Sequence, residues 1–123
     1  MQPADVVRAL FERMQARDWA GASARMAPDA RIRYSATGEE FSGRRFMEMN
    51  EAYPEGWTIE VVDIATAGNR VAAQVRVPNG GQVDWLSGFY TVEDGVIVDG
   101  REHWVTEGAE SAPAWRVPFT RGN

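Results

Sequence analysis

The stretch GFYTVEDGVIVDGREHWV, residues 88–105, holds two alternating runs around Asp94-Gly95. Such alternation marks half-buried strands, and Asp-Gly between two of them is a strong signal for a tight hairpin. The second run ends unusually. Glu102, the chain's only histidine His103, and Trp104 stand side by side where apolar residues are expected. Side chains alternate along a strand, so these neighbours face opposite ways. A two-residue turn sets Glu93 opposite Val96 and fixes the pairs that follow: Thr91 with Val98, Phe89 with Gly100, Ser87 with Glu102, Trp85 with Trp104. Opposed residues share a face. Trp85, Ser87, Phe89, Val98, Gly100, Glu102 and Trp104 are therefore expected to line a pocket, with Leu86, Tyr90, Ile97 and His103 on the other side. A single bulge between Trp85 and Trp104 would exchange the faces.

Working outward, residues 57–65, 70–77, 82–92 and 96–106 read as four strands. Their links, Ala67-Gly68-Asn69, Pro78-Asn79-Gly80-Gly81 and Asp94-Gly95, have hairpin composition, which makes a meander. The N-terminal half has a helical period. Val6, Val7, Leu10, Phe11 and Met14 recur at three- and four-residue spacing within a helix over residues 3–17. Pro3 suits its first turn, and Asp5 its positive end. Asp18 reads as the N-cap of a second helix over 19–26. Residues 31–34 read as a strand, 35–43 as a polar loop, and 44–53 as a third helix stopped by Pro54-Glu55-Gly56. Helices first and an antiparallel sheet after is the α+β pattern. The expected shape is a cone-shaped barrel: a strongly curved antiparallel or mixed sheet wrapped around about three N-terminal helices, with an apolar interior. Residues 1–110 form the expected domain. Residues 111–123, with Trp115 and Phe119, form an extension expected to pack on it or on a partner subunit.

The 123 residues suit one compact domain, and 44% hydrophobic with 25% charged residues can build a core and still dissolve. Cysteine is absent, which excludes a disulfide framework, a thiolate metal site and a cysteine nucleophile. One histidine excludes a histidine-rich metal centre within one chain. A net charge of −5 argues against nucleic acid as the main partner. No signal pattern or membrane-length apolar run is visible, so a cytoplasmic protein with no membrane partner is expected.

The helical hairpin closing with ARMAPDARIRY (residues 24–34), the turn-helix SGRRFMEMN (residues 42–50) and the final hairpin of residues 88–105 occur in an order that resembles the nuclear transport factor 2-like superfamily. Within it, the resemblance is to the SnoaL-like proteins, over residues 1 to about 107. It implies the cone-shaped α+β fold and a homodimer formed through the sheet. It also implies relationship to ketosteroid isomerases, polyketide cyclases, dehydratases and epoxide hydrolases, as well as to domains without chemistry, so the fold does not settle function. The isomerase pattern places a donor tyrosine near Leu10, a proton-shuttling aspartate near Tyr34 and a second acid near Ser87 or Gly88. None of those residue types is present, and an aspartate–arginine–aspartate set of the epoxide hydrolase kind is not evident. The last-strand acid of the cyclases falls on Glu102.

Glu102 is thus the candidate acid/base: inside an apolar cavity it loses hydration and its pKa rises toward neutrality. Tyr34 and Asn50 are candidates for orienting a ligand carbonyl or hydroxyl. Leu10, Met14, Met47, Trp85, Ser87, Phe89, Val98 and Trp104 are expected to contact the ligand, a small hydrophobic molecule. No cofactor or metal is required by any motif. Two readings stand side by side. One is a cofactor-free isomerase, cyclase, dehydratase or hydrolase. The other is a non-catalytic dimeric domain that binds a hydrophobic small molecule or another protein. For Glu102 taken alone, the rival to a proton-transfer role is a simple pairing with an arginine.

Overall fold

A computed structural model describes residues 1–122. Helix α1 (Pro3–Gln15) carries Pro3 at its start, and the Gln2 backbone N–H donates to Asp5 Oδ2 at 3.1 Å. Its apolar stripe, Val6, Val7, Leu10, Phe11 and Met14, is buried. Asp18 caps α2 (Trp19–Ser23) by accepting from the Gly21 N–H at 2.9 Å. Ser42 caps α3 (Gly43–Ala52) by accepting from the Arg45 N–H at 3.2 Å. Six strands complete the chain: β1 (Met26–Tyr34), β2 (Glu39–Ser42), β3 (Glu60–Ala67), β4 (Arg70–Asn79), β5 (Gln82–Glu93) and β6 (Val96–Thr106). They form one mixed sheet in the order β2-β1-β6-β5-β4-β3. All pairs are antiparallel except β1 with β6, which is parallel.

The expected meander of β3 to β6 is present, with starts and ends moved by a few residues. Two expectations in the first half fail. The second helix stops at Ser23, because Met26 is drawn into the sheet opposite Ile97. The loop expected over 35–43 contains β2, an edge strand against β1. Its sequence, EEFS, buries only part of Phe41, so it carries no alternating signal.

One face of the sheet is apolar. Val71, Ala73, Val75 and Val77 of β4 and Leu86, Tyr90 and Val92 of β5 lie on it, in one core with the α1 stripe, Phe46 and Met47. The last hairpin turns at Asp94 and Gly95, both with positive φ (51° and 79°), as a two-residue primed turn requires. Glu93 opposes Val96 as expected, and Val92 opposes Ile97. The register then shifts: Thr91 opposes Asp99, and Val98 is left without a partner. This bulge corrects the expected pairing. Gly88, not Ser87, opposes Glu102, and Leu86, not Trp85, opposes Trp104.

Beyond β6, residues 107–122 are exposed throughout, including a short 3₁₀ turn over Ala114–Phe119. Asn123, the end of the expected extension, lies outside the described residues.

Candidate functional site

A cavity of about 380 Å³ opens between the helices and the apolar face of the sheet. Phe11 and Met14 of α1, Phe46, Met49 and Asn50 of α3, Val75 and Val77 of β4, and Leu86 of β5 form much of its wall. Tyr34, Glu102 and Trp104 supply the polar groups along β1 and β6. The parallel pairing sets Tyr34 directly beside Glu102. Near the end of the β4–β5 hairpin the lining turns polar, with Asn79, Gln82 and Asp84. The Asp84 carboxylate is already engaged, accepting from Thr106 Oγ1 at 2.7 Å and from Gln82 Nε2 at 3.0 Å.

Glu102 is the only buried ionic side chain among the described residues, at 1% exposure. It pairs with no arginine. The Tyr90 hydroxyl donates to its Oε2 at 2.6 Å, and the Trp104 indole N–H donates to its Oε1 at 3.1 Å. Loss of hydration drives its pKa up from 4.5 to about 7, and the two donated hydrogen bonds only partly oppose that rise. Burial, and then the neighbouring Glu102, push the Tyr34 hydroxyl well above its ordinary range, so it stays protonated and able to donate. Asn50 donates through Nδ2 to the Phe46 carbonyl at 2.8 Å, which holds its amide within the α3 wall.

Tyr34, Asn50, Glu102, Trp104 and Met14 thus meet at one cavity, and the other expected contact residues do not. Leu10 is buried in the core away from the cavity, and Met47 lines a separate shallow depression between α3 and β1. Trp85, Ser87 and Phe89 lie on the opposite face of β5, and Val98 is the bulged residue. The bulge is the reason for this last group. It inserts one residue on β6 alone, so Gly100, Glu102 and Trp104 keep the expected face while β5 turns over. His103 is exposed on the outer face, as expected, with its ring edge-on to Phe89.

The same shift hid Tyr90, expected on the outer face and in fact 1% exposed beneath Glu102. Two glycines are the trace it leaves in the sequence, readable only once the strand register is known. A Cβ on Gly88 would come within 2.3 Å of the Tyr90 hydroxyl oxygen, and one on Gly100 within 3.0 Å of the Tyr90 ring. Gly88 and Gly100 mark the space the ring occupies. Trp57 was also missed as a wall residue. It is held by the Arg17 guanidinium, centred 3.5 Å from its ring, and by Arg17 donating to its carbonyl at 2.6 Å. Among the described residues no group of three or more acidic, histidine or cysteine side chains is placed to hold a metal ion. No helix is long and apolar enough to cross a membrane.

Three N-terminal-half helices against a six-stranded mixed sheet, with an acid lining an apolar cavity, define a nuclear transport factor 2-like α+β domain. The SnoaL-like domain model matches residues 7–100, and the chain belongs to that family. Solved structures agree. A candidate ketosteroid isomerase from Kribbella flavida DSM 17836 superposes with a TM-score of 0.87 at 26% identity, over 97% of this chain and 87% of that one. IdmH, a candidate polyketide cyclase from Streptomyces antibioticus, gives 0.73 at 21% identity, over 87% and 93%. An epoxide hydrolase of the LEH-like kind from M. tuberculosis gives 0.70 at 18%, over 84% and 82%. The search of curated proteins returned no significant match.

Proposed function

We propose that the cavity binds a small, uncharged, largely apolar molecule and that Glu102 moves a proton on it, as a cofactor-free isomerase, cyclase or dehydratase would. The observation that carries this reading is Glu102 itself: a buried carboxyl with no cationic partner, poised at about 7 on the wall of an apolar cavity. Near neutral pH such a group populates both forms. It can take a proton from a carbon next to a carbonyl and return it elsewhere, typically worth ~10²–10⁴ in rate. Tyr34, protonated throughout, donates to the substrate oxygen on which charge develops, and Asn50 orients the same end. The walls set the substrate class. Among the described cavity residues there is no arginine, lysine or histidine, so an anion would be buried without a counter-charge. A cavity between the helices and the apolar face of the sheet also supports the expected cone-shaped interior.

Relationship to proteins described as isomerase, cyclase and epoxide hydrolase supports the reading at the level of family. A second reading, a non-catalytic ligand-binding domain, is favoured by Leu10, Tyr34 and Ser87 or Gly88, which stand near where the isomerase pattern has a donor tyrosine, an aspartate and a second acid. One comparison separates the two. Small aromatic and terpenoid compounds are screened by thermal shift, and those that bind are assayed with wild type and Glu102→Gln. Binding kept with turnover reduced by ~10² or more is the expected result. Binders that neither protein converts decide for the second reading.

A further inference from the structure

Glu102 has two oxygens in different surroundings. Oε1 accepts from Trp104, which lines the cavity, whereas Oε2 accepts from Tyr90, which does not. Tyr90 stands behind the carboxyl. Its ring meets Phe11 edge-on, with centroids 6.1 Å apart, and lies in the space left by Gly88 and Gly100. Those glycines are the cross-strand partners of Glu102 and Tyr90: Gly88 opposes Glu102, and Gly100 opposes Tyr90. Two strands thus exchange a side chain for a glycine at successive pairs on one face, and the aromatic ring fills the gap so that its hydroxyl ends under the acid.

We propose that Tyr90, seated on Gly88 and Gly100, is the positioning residue of the site: it holds Oε2 of Glu102 from behind and leaves Oε1 to the ligand. The inference rests on Glu102 being the working group, but its test needs no substrate. The other donor to Glu102, the Trp104 indole N–H, holds Oε1 on the cavity side and leaves Oε2 to Tyr90. The titratable side chains facing Glu102 are Tyr90 from β5 and Tyr34 from β1, with Tyr53 and Asp84 farther round the same cavity. α1 presents Phe11 and Met14, α3 presents Phe46, Met49 and Asn50, and β4 presents Val75 and Val77. The Tyr90 hydrogen bond favours the carboxylate, so its loss must push Glu102 toward the protonated form.

The experiment follows the Glu102 carboxyl carbon by NMR in ¹³C-glutamate-labelled protein, the resonance being assigned by its absence in Glu102→Gln. Tyr90→Phe keeps the ring and removes only the hydroxyl. The expected result is a titration midpoint raised by about one pH unit, the scale of a lost hydrogen bond to a charged group. Gly88→Ala, which pushes the ring out of its seat, should raise it likewise. An unmoved midpoint in folded Tyr90→Phe overturns the proposal and leaves Glu102 as the site's acid. A wild-type midpoint at the ordinary glutamate value overturns both the positioning role and the proposed function.

Discussion

Glu102 concentrates the chemistry of this molecule because its surroundings differ from those of every other acid in the chain. Exposed carboxylates such as Glu55 and Glu40 meet arginines in water and gain little from it. Glu102 meets only a phenol and an indole. Its proton is held more tightly folded than unfolded, since the folded value is about 7 against 4.5. The sign of the linkage follows: the folded state binds more protons between those values, so stability falls as pH rises through them. The contribution is fully present below the unfolded value and lost above the folded one, a span of roughly 3 kcal/mol. Glu102→Gln stays neutral and should lack this dependence. Denaturant melts of both proteins from about pH 4 to about pH 8 measure it, and parallel curves would remove Glu102 as a buried titrating group.

Among the elements, the bulge in β6 does the most. Val98 is the extra residue, and pairing on either side of it is regular. Deleting Val98 should therefore leave Leu86 opposite Trp104 and Glu102 still buried, while costing roughly 1–3 kcal/mol from disturbed packing and lost local twist. Contacts between Leu86 and Trp104 in an NMR spectrum of the deletion variant check this. Contacts between Trp85 and Trp104 instead would mean that the pairing slips by one residue against the turn, and would overturn the reading of Val98 as the extra residue. The helices and the meander were legible because periodicity and caps are local: Asp18 is a cap where the sequence places one. β2 and the parallel pairing of β1 with β6 were not legible, because polar edge strands and crossovers carry no local period. Five of the eleven candidate site residues were likewise legible as lining the cavity. Tyr34, Asn50, Glu102, Trp104 and Met14 reach the cavity, whereas Trp85, Ser87 and Phe89 were displaced by one unpaired residue.

The whole molecule leaves apolar side chains uncovered. Phe89 is 42% exposed on the outer face of the sheet, and Trp115 and Phe119 of the C-terminal segment are 72% and 81% exposed. We propose, as the family resemblance implies, that a second copy of the chain lies against the sheet and covers Phe89. Light scattering at micromolar concentration should then give twice the 13.7 kDa of one chain. A monomeric mass would leave the C-terminal segment without its expected seat.

The amino-acid sequence alone determined the α+β class, the helical stripe, the hairpins and the face of Glu102, because each depends on residues near in the chain. Which residues surround that carboxyl was decided only in three dimensions. Tyr90 reaches it from a neighbouring strand across two glycines, in a register that one bulged residue sets and no local pattern announces.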